Sequence, residues 1–286
     1  MINYSPLRYP GGKSALYPIV ASAIKINDLK NCIYVEPFAG GASIALSLLI
    51  DGVVDRIIIN DADKAVYSFW RSIIESPRWF IEKIENTPVT IQEWRKQKNI
   101  VSTSRKYSRE FGFAMFYLNR TNRSGILSAG PIGGYEQNGD YKIDCRFNKD
   151  TLIEKIKTIS KHRNKIKKYL PAENVAGDVF IYLDPPYYEK GQRLYLNHFS
   201  TSDHERLRAD IAKIDCKWIM TYDDKVEIER LYSDFEKCHF SINYSLSNKP
   251  KGGELMIFKD RSCVPPFDTI KTLSKAVCFN NAEIGG

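Results

Sequence analysis

The chain carries only four histidines and six cysteines, and no cysteine pair has C-x-x-C spacing or a histidine at metal-ligand spacing. Neither a zinc site nor a disulfide framework is indicated, and reduced thiols in a cytosol fit the cysteine usage best. No apolar run approaches the roughly 18 residues that a membrane span needs, and the N-terminus has no signal-peptide pattern. Internal repeats and low-complexity tracts are also missing. So is the G-x-G-x-x-G fingerprint, which weakens any nicotinamide-binding reading.

What is present is ordinary in bulk. A length of 286 residues supports one large or two smaller domains with a buried core. Forty-two basic against 34 acidic residues give a net charge of +8 and an isoelectric point near 9.0. That balance is compatible with a polyanionic partner, and equally with simple solubility.

The most specific stretch is Asp184-Pro185-Pro186-Tyr187, reached by the apolar run Val179-Phe180-Ile181-Tyr182-Leu183. Such a run, closed by an acid and two prolines, reads as a parallel strand stopping at its carboxyl end, where open α/β sheets place ligands. Each proline holds φ at about −65° and lacks an N–H, so the turn is stiff and its carbonyls stay free to accept hydrogen bonds. A carboxylate, a free carbonyl and an aromatic ring on one rigid turn suit a planar base bearing an amino group. An ordinary Pro-Pro loop after a strand has the same local pattern.

From the N-terminus, Ser5-Pro6-Leu7-Arg8-Tyr9-Pro10-Gly11-Gly12-Lys13-Ser14 places two permissive glycines and a lysine before a helical pattern starting near Ala15. The Walker pattern fails, because its first glycine falls on Leu7 and no strand precedes it. The glycines and Lys13 still offer N–H groups and an ammonium to a ligand carboxylate, or simply enter a helix. Ile33-Tyr34-Val35, Glu36-Pro37-Phe38-Ala39-Gly40-Gly41 and the apolar segment Ala42 to Ile50 then read as strand, glycine turn and helix. A second strand, Arg56 to Asn60, ends in Asp61, where nucleotide-binding folds hold a ribose diol. An aspartate there also suits a cap for the helix from Ala62 to Glu75.

From Pro77 to about Asp150 the strand-helix alternation stops. Helical patterns over 79–85, 91–98 and 104–119 lead into a polar, glycine-rich section, which reads as an inserted domain. Its centre, Leu118-Asn119-Arg120-Thr121-Asn122-Arg123-Ser124-Gly125, followed by Gly130 to Tyr135, puts Arg and Asn side chains on turns. Arg pairs bidentately with guanine and Asn with adenine, while Ser and Thr reach phosphates. Lys155, Lys157, Lys161, Arg163, Lys165, Lys167 and Lys168 crowd the next segment, as a phosphate-facing or a merely solvated helix. Beyond a polar and aromatic loop from Tyr188 to Phe199, Ser202-Asp203-His204-Glu205 fits a capping box for a helix to Ile214. Trp218 to Tyr222 reads as a buried strand, Asp224 to Tyr232 as a helix, and Cys238 to Tyr244 with Leu255 to Phe258 as a terminal hairpin. The tail from Arg261 to Gly286 has no assignable period.

With these pieces in order, the sequence resembles the Dam-type DNA adenine-N6 methyltransferases from about Ser5 to Asp260. Pro10-Gly11-Gly12-Lys13 is similar to the family's N-terminal motif, Glu36 to Gly41 to its S-adenosylmethionine motif, and Asp184-Pro185-Pro186-Tyr187 to its catalytic motif. Leu118-Asn119-Arg120 lies where the family places its target-recognition domain. Each motif alone is moderate evidence; the four in this order are strong.

The resemblance implies an α/β, Rossmann-like methyltransferase fold with a mainly parallel seven-stranded sheet. Residues 1–76 and 151–260 would form the catalytic domain and 77–150 an inserted, mostly helical recognition domain, leaving 261–286 unassigned. It implies that Tyr9 and Lys13 face the methionine part of S-adenosylmethionine, with Gly12 in the same motif. Glu36, Pro37, Phe38, Gly40 and Gly41 would surround that cofactor, Asp61 would hold its ribose, and Asp184 would border it. Asp184 and the Pro185 carbonyl would grip the target amine, with Pro186 stiffening the turn. Tyr187 would stack on a flipped-out adenine, and Phe199 would form the opposite wall. Arg120, Thr121, Asn122, Arg123 and Ser124 would contact double-stranded DNA. No metal is required. The recognised sequence, the oligomeric state and any partner restriction or defence protein are not readable here.

In one place the sequence departs from the family. Tyr169 to Asp178 leads almost directly into the catalytic strand, with too few residues for the short helix that the family uses to cradle the cofactor adenine. Glu173 or Asp178 would have to substitute. The second reading is therefore a methyltransferase-like DNA-binding module with weak or lost catalysis. A cytosine-N4 or glutamine substrate fits less well, since those families more often carry Ser or Asn where Asp184 stands.

Overall fold

The structure, a computed structural model, describes residues 3–9, 12–167, 178–188, 199–242, 253–266 and 277–279. Pro10 and Gly11, the short segment after Tyr169 with Glu173, most of the loop before Phe199 and most of the tail lie outside the described residues. In chain order the elements are helix α1 (Tyr17–Ile26), strand β1 (Ile33–Glu36), α2 (Ser43–Ile50), β2 (Arg56–Ile59), α3 (Lys64–Glu75), α4 (Pro77–Asn86), α5 (Ile91–Thr103) and α6 (Arg109–Thr121). There follow α7 (Lys149–Lys161), β3 (Val179–Leu183), α8 (Thr201–Ile211), β4 (Lys217–Asp223), α9 (Val226–Leu231), β5 (Glu236–Ile242), β6 (Glu254–Phe258) and β7 (Val277–Phe279).

The chain divides into two compact units. One comprises Lys13–Phe38, Leu48–Ile59 and Tyr169–Gly286, and the other Met1–Gly12, Ala39–Ser47 and Asn60–Lys168. The first holds seven strands in the order β2-β1-β3-β4-β6-β5-β7. Pairings β2–β1, β1–β3 and β3–β4 are parallel, whereas β4–β6, β6–β5 and β5–β7 are antiparallel. Strands β1 to β5 therefore share one direction and only β6 and β7 oppose it, so the expected mainly parallel sheet is present. The expected hairpin of β5 and β6 is present too, with β6 inserted between β4 and β5.

Burial explains the strand sequences. Every residue of β1 and β6, and six of the seven in β4, is buried, so these strands carry continuous apolar runs instead of alternation. Strand β5 alternates between buried and half-exposed positions, as a strand with one solvated face should. Leu183, Trp218, Met220, Tyr222, Leu255 and Ile257 form one core cluster with Ile211 of α8 and Ile228 of α9. Among the described residues no helix is long and apolar enough to cross a membrane.

The second unit is helical, apart from the two-residue strand Ile166–Lys167. Its core is aromatic: Phe69 of α3, Phe80 of α4 and Phe116 of α6 are fully buried and in mutual ring contact. Helices α3 and α6 cross closely because Gly112 of α6 faces Ser68 and Ser72 of α3. A Cβ on Gly112 would overlap the Ser68 carbonyl and the Ser72 hydroxyl.

Two helix starts differ from expectation. Helix α3 is capped by Asp63, whose side chain accepts the Ala65 N–H, and not by Asp61. Helix α8 begins two residues early, because Ser200 and Asp203 complete the capping box that was expected at Ser202 and Glu205. The Asp203 carboxylate at N3 returns to the Ser200 N–H at 2.9 Å. Gly112→Ala is expected to lower stability by about 1–3 kcal/mol through overpacking, read as a lower urea midpoint; an unchanged midpoint would show that the helices separate freely there.

Candidate active site

In the sheet unit the turn Asp184-Pro185-Pro186-Tyr187 leaves the carboxyl end of β3, and neighbouring β4 fastens it on both sides. Thr221 donates its hydroxyl to Asp184 Oδ1 at 2.9 Å, and the Thr221 and Tyr182 hydroxyls are 2.8 Å apart. Beyond the prolines, the Tyr188 N–H donates to Asp223 Oδ1 at 2.9 Å. Proline supplies no N–H, so these side-chain contacts from β4 set the turn's position.

Lys13 is almost completely buried, at 5% exposure. Its ammonium is 2.9 Å from Glu254 Oε2 and 4.0 Å from Asp184 Oδ1. It also donates to the Tyr187 hydroxyl and lies 4.8 Å from the centre of that ring. Tyr187 in turn donates to Glu254 Oε2 at 2.8 Å. Lysine, glutamate and tyrosine thus close a triangle beside the turn, fixing the plane of the Tyr187 ring.

The charges act on Asp184. Burial raises its pKa from 3.8 to about 6; Lys13 opposes that shift, the Glu254 carboxylate adds to it, and the Thr221 hydrogen bond opposes it. Burial, followed by the same two carboxylates, pushes the Tyr187 phenol up, so it stays protonated.

Glu36 ends β1 as a buried carboxylate and accepts the Tyr34 hydroxyl at 2.9 Å. Past Pro37, the Phe38 ring meets Phe199 edge-on at 6.0 Å between centroids. Phe199 and Tyr188 both pack on His204, at 5.3 and 5.2 Å. His204 is buried, with Nδ1 2.7 Å from the Tyr222 hydroxyl, and burial lowers its pKa.

In the helical unit, Gly40 has φ +46° and a Cβ there would strike the Tyr9 ring, while a Cβ on Gly41 would crowd Tyr9 Cβ at 3.2 Å. Tyr9 therefore lies flat against a turn that needs glycine at both positions. Gly12 donates its N–H to the Tyr9 carbonyl at 3.1 Å. Asp61 accepts the Gly40 N–H at 2.8 Å and the Asp63 N–H at 2.9 Å. Burial raises its pKa to about 6, against those two hydrogen bonds. Asp61 thus ties the glycine turn to the entry of α3, and each of its oxygens keeps a lone pair for a ligand.

The same unit holds the segment at the end of α6. Thr121 and Asn122 are fully buried. Thr121 donates to the Tyr117 carbonyl, and Asn122 accepts from Trp94 Nε1 at 2.6 Å and donates to the Ile126 carbonyl at 2.9 Å. A β-bridge between Asn122 and Pro131 closes the loop, leaving Arg123 and Ser124 exposed at its tip. Arg8, Arg120 and Lys155 donate to the carbonyls of Asn122, Arg146 and Ser5. Burial, reinforced by the neighbouring arginines, lowers the pKa of Arg120 to about 10. Burial and Arg146 lower Arg8, and burial and Arg120 lower Lys155. Among the described residues no carboxylate pairs with Arg8, Arg120, Arg146 or Lys155.

Glu254, Thr221 and Asp223 were not anticipated from the sequence. The usable signal for Glu254 was a carboxylate, directly after a glycine, opening a five-residue strand whose other four residues are apolar. Asp178, considered for the adenine pocket, accepts the Lys30 N–H at 2.7 Å.

Residues 9–245 match the model of the D12 class N6 adenine-specific DNA methyltransferases. Two solved structures of the rRNA methyltransferase AviRa from Streptomyces viridochromogenes are similar to the chain. One has a TM-score of 0.32 at 10% identity, covering 84% of this chain and 78% of that one. The other has a TM-score of 0.31 at 11% identity, covering 87% and 86%. No curated protein matches.

Because Asp184 lies above its unfolded value of 3.8, its protonated form favours folding, and that contribution is lost as pH rises through about 6. Glu254→Gln is expected to move the Asp184 titration to lower pH and Lys13→Met to higher pH, followed by carboxyl NMR. Lys13→Met should also cost about 3–5 kcal/mol by stranding a buried carboxylate. A titration that neither variant moves would remove this account of the site.

Proposed function

The chain belongs to the family of D12 class N6 adenine-specific DNA methyltransferases, and from that premise we propose that it methylates a flipped-out adenine at a specific site in duplex DNA, with S-adenosylmethionine as donor. The observation that carries the reading is the Asp184-Pro185 pair, a carboxylate and a free carbonyl on a proline-stiffened turn that Thr221 and Asp223 hold from β4.

The N6 lone pair of adenine is delocalised into the ring and is a poor nucleophile until the amino group pyramidalises. Two acceptors on its N–H bonds, Asp184 and the Pro185 carbonyl, favour that change. Both are fixed before substrate arrives, so catalysis is by positioning and electrostatic preorganisation. Extruding the base costs a few kcal/mol, and the Tyr187 ring, oriented by Lys13 and Glu254, offsets part of it by stacking. Phe199, braced on Phe38 and His204, is the candidate opposite wall. With its pKa raised toward about 6, Asp184 can also accept the proton that leaves after transfer.

S-adenosylmethionine, when bound, supplies a methyl group activated on a sulfonium. The residues present fit that donor: the Gly40-Gly41 turn is covered by the Tyr9 ring and backed by the Asp61 carboxylate, which retains acceptor capacity. Tyr9, Gly40, Gly41 and Asp61 would hold it.

The DNA reading is supported by the four cations without carboxylate partners and by the exposed Arg123 and Ser124. Thr121 and Asn122 would act by shaping that loop. Arg8, Arg120 and Lys155, held on backbone carbonyls, favour anions, as a phosphate backbone would supply.

Asp184→Ala is expected to reduce methyl transfer by about 10²–10³-fold, the scale of losing a preorganised electrostatic partner, while DNA binding persists. Transfer would be read as labelled methyl in duplex DNA, and an active variant would refute the role. Arg120→Ala should lower the salt slope of DNA binding by about one, whereas Arg123→Ala should relax discrimination between sites. Unchanged slope and site preference would dismiss this surface. Calorimetry with S-adenosylmethionine separates the enzyme from a DNA-binding module, because a folded chain that releases no heat has lost its donor.

A further inference from the structure

Away from the turn after β3, three ligand-type side chains converge from three elements of the sheet unit. Asp224 follows the last residue of β4, Glu229 lies on α9 and His239 on β5. One ligand atom from each lies within 4.8 Å of the other two. His239 Nε2 is 2.8 Å from Glu229 Oε1, and its Nδ1 is 3.9 Å from Asp224 Oδ2. Glu229 and His239 also line an open cleft of about 620 Å³. The Asp224 carboxylate is seated on Gly253, where a Cβ would come within 2.7 Å of Oδ2. The Asp224 N–H donates to the Gly253 carbonyl at 3.3 Å.

We propose that Asp224, Glu229 and His239 bind a divalent first-row transition ion of the zinc type. One imidazole and two carboxylates form a donor set suited to zinc, and the imidazole disfavours magnesium or calcium. Two donors on a tetrahedral zinc stand about 3.4 Å apart at bond lengths of about 2.0–2.1 Å. The 2.8 and 3.9 Å contacts are to opposite ring nitrogens, only one of which can ligate a given ion. With one donor from each residue the three ligand atoms lie within 4.8 Å of one another, and rotations of these partly exposed side chains bring them to that spacing. The contact between Glu229 and His239 keeps two donors together before the ion arrives. Two carboxylates and a neutral imidazole carry a charge that a dication cancels, and the cleft admits water to the remaining position.

The site's neighbours give it a consequence. Asp224 adjoins Asp223, which holds the Tyr188 N–H, and Gly253 adjoins Glu254, which holds Lys13 and Tyr187. An ion here would tie together the strand ends that support the turn after β3.

The test uses the full chain with Co²⁺ alone as the spectroscopic probe and Zn²⁺ alone in thermal unfolding. The expected result is saturable Co²⁺ visible absorption without an intense thiolate charge-transfer band, displaced by Zn²⁺, with Zn²⁺ raising Tm. His239→Ala should weaken Co²⁺ binding by more than about tenfold, a loss that even outer-shell changes can produce. Glu229→Gln, a conservative change on a short helix, serves the same purpose if His239→Ala does not fold. Absence of saturable binding, a thiolate-type spectrum, or affinity unchanged in the folded variants would each overturn the proposal. The readout is ion binding, so the outcome does not depend on methyl transfer.

Discussion

The buried ammonium of Lys13 is the constraint on which the sheet unit's chemistry depends. Desolvating an ammonium costs several kcal/mol unless a counter-charge and hydrogen bonds accompany it. Glu254 supplies the charge and Tyr187 the oxygen, and Tyr187 is thereby held beside the stiff turn that carries Asp184. One electrostatic requirement thus orients an aromatic ring and sets the balance of fields on a carboxylate. Glu254 raises the proton affinity of Asp184 and Lys13 lowers it, so the two partners of one ion pair tune a third group in opposite directions.

Strand β4 performs the mechanical part. Thr221 and Asp223 lie two residues apart on it, and side chains two apart on a strand share a face. One fastens Asp184 and the other the Tyr188 backbone, on either side of two prolines that have no N–H to offer. The turn owes its stiffness to its own sequence and its position to its neighbour.

Much of this was legible in the chain. The continuous apolar runs of β3 and β4 marked buried parallel strands, and the acid-proline-proline ending marked a carboxyl edge, because both signals are local. The hairpin of β5 and β6 could be read from its alternating and apolar halves. Glu254 could not be given a role, because its partners come from Lys13 and Tyr187, and nothing near residue 254 reports them. Thr121 and Asn122 read as exposed turn residues by type, yet their side chains fold inward onto Trp94 and backbone carbonyls. The cap expected at Ser202 falls at Ser200, where the Asp203 side chain returns the bond to the cap N–H. Asp61, which suited either a ribose or a helix cap, ties down the glycine turn, and Asp63 caps α3.

The insertion of β6 between β4 and β5 also sets an order of assembly. The chain up to residue 253 contains the Asp184 turn, whose carboxylate lies 4.0 Å from Lys13, but not the Glu254 carboxylate that approaches the ammonium to 2.9 Å. The Lys13–Glu254 contact joins residues far apart in sequence, the kind of non-local pairing that forms late. The ring of Tyr187, already in contact with Lys13, therefore gains its second anchor only once β6 has joined the sheet.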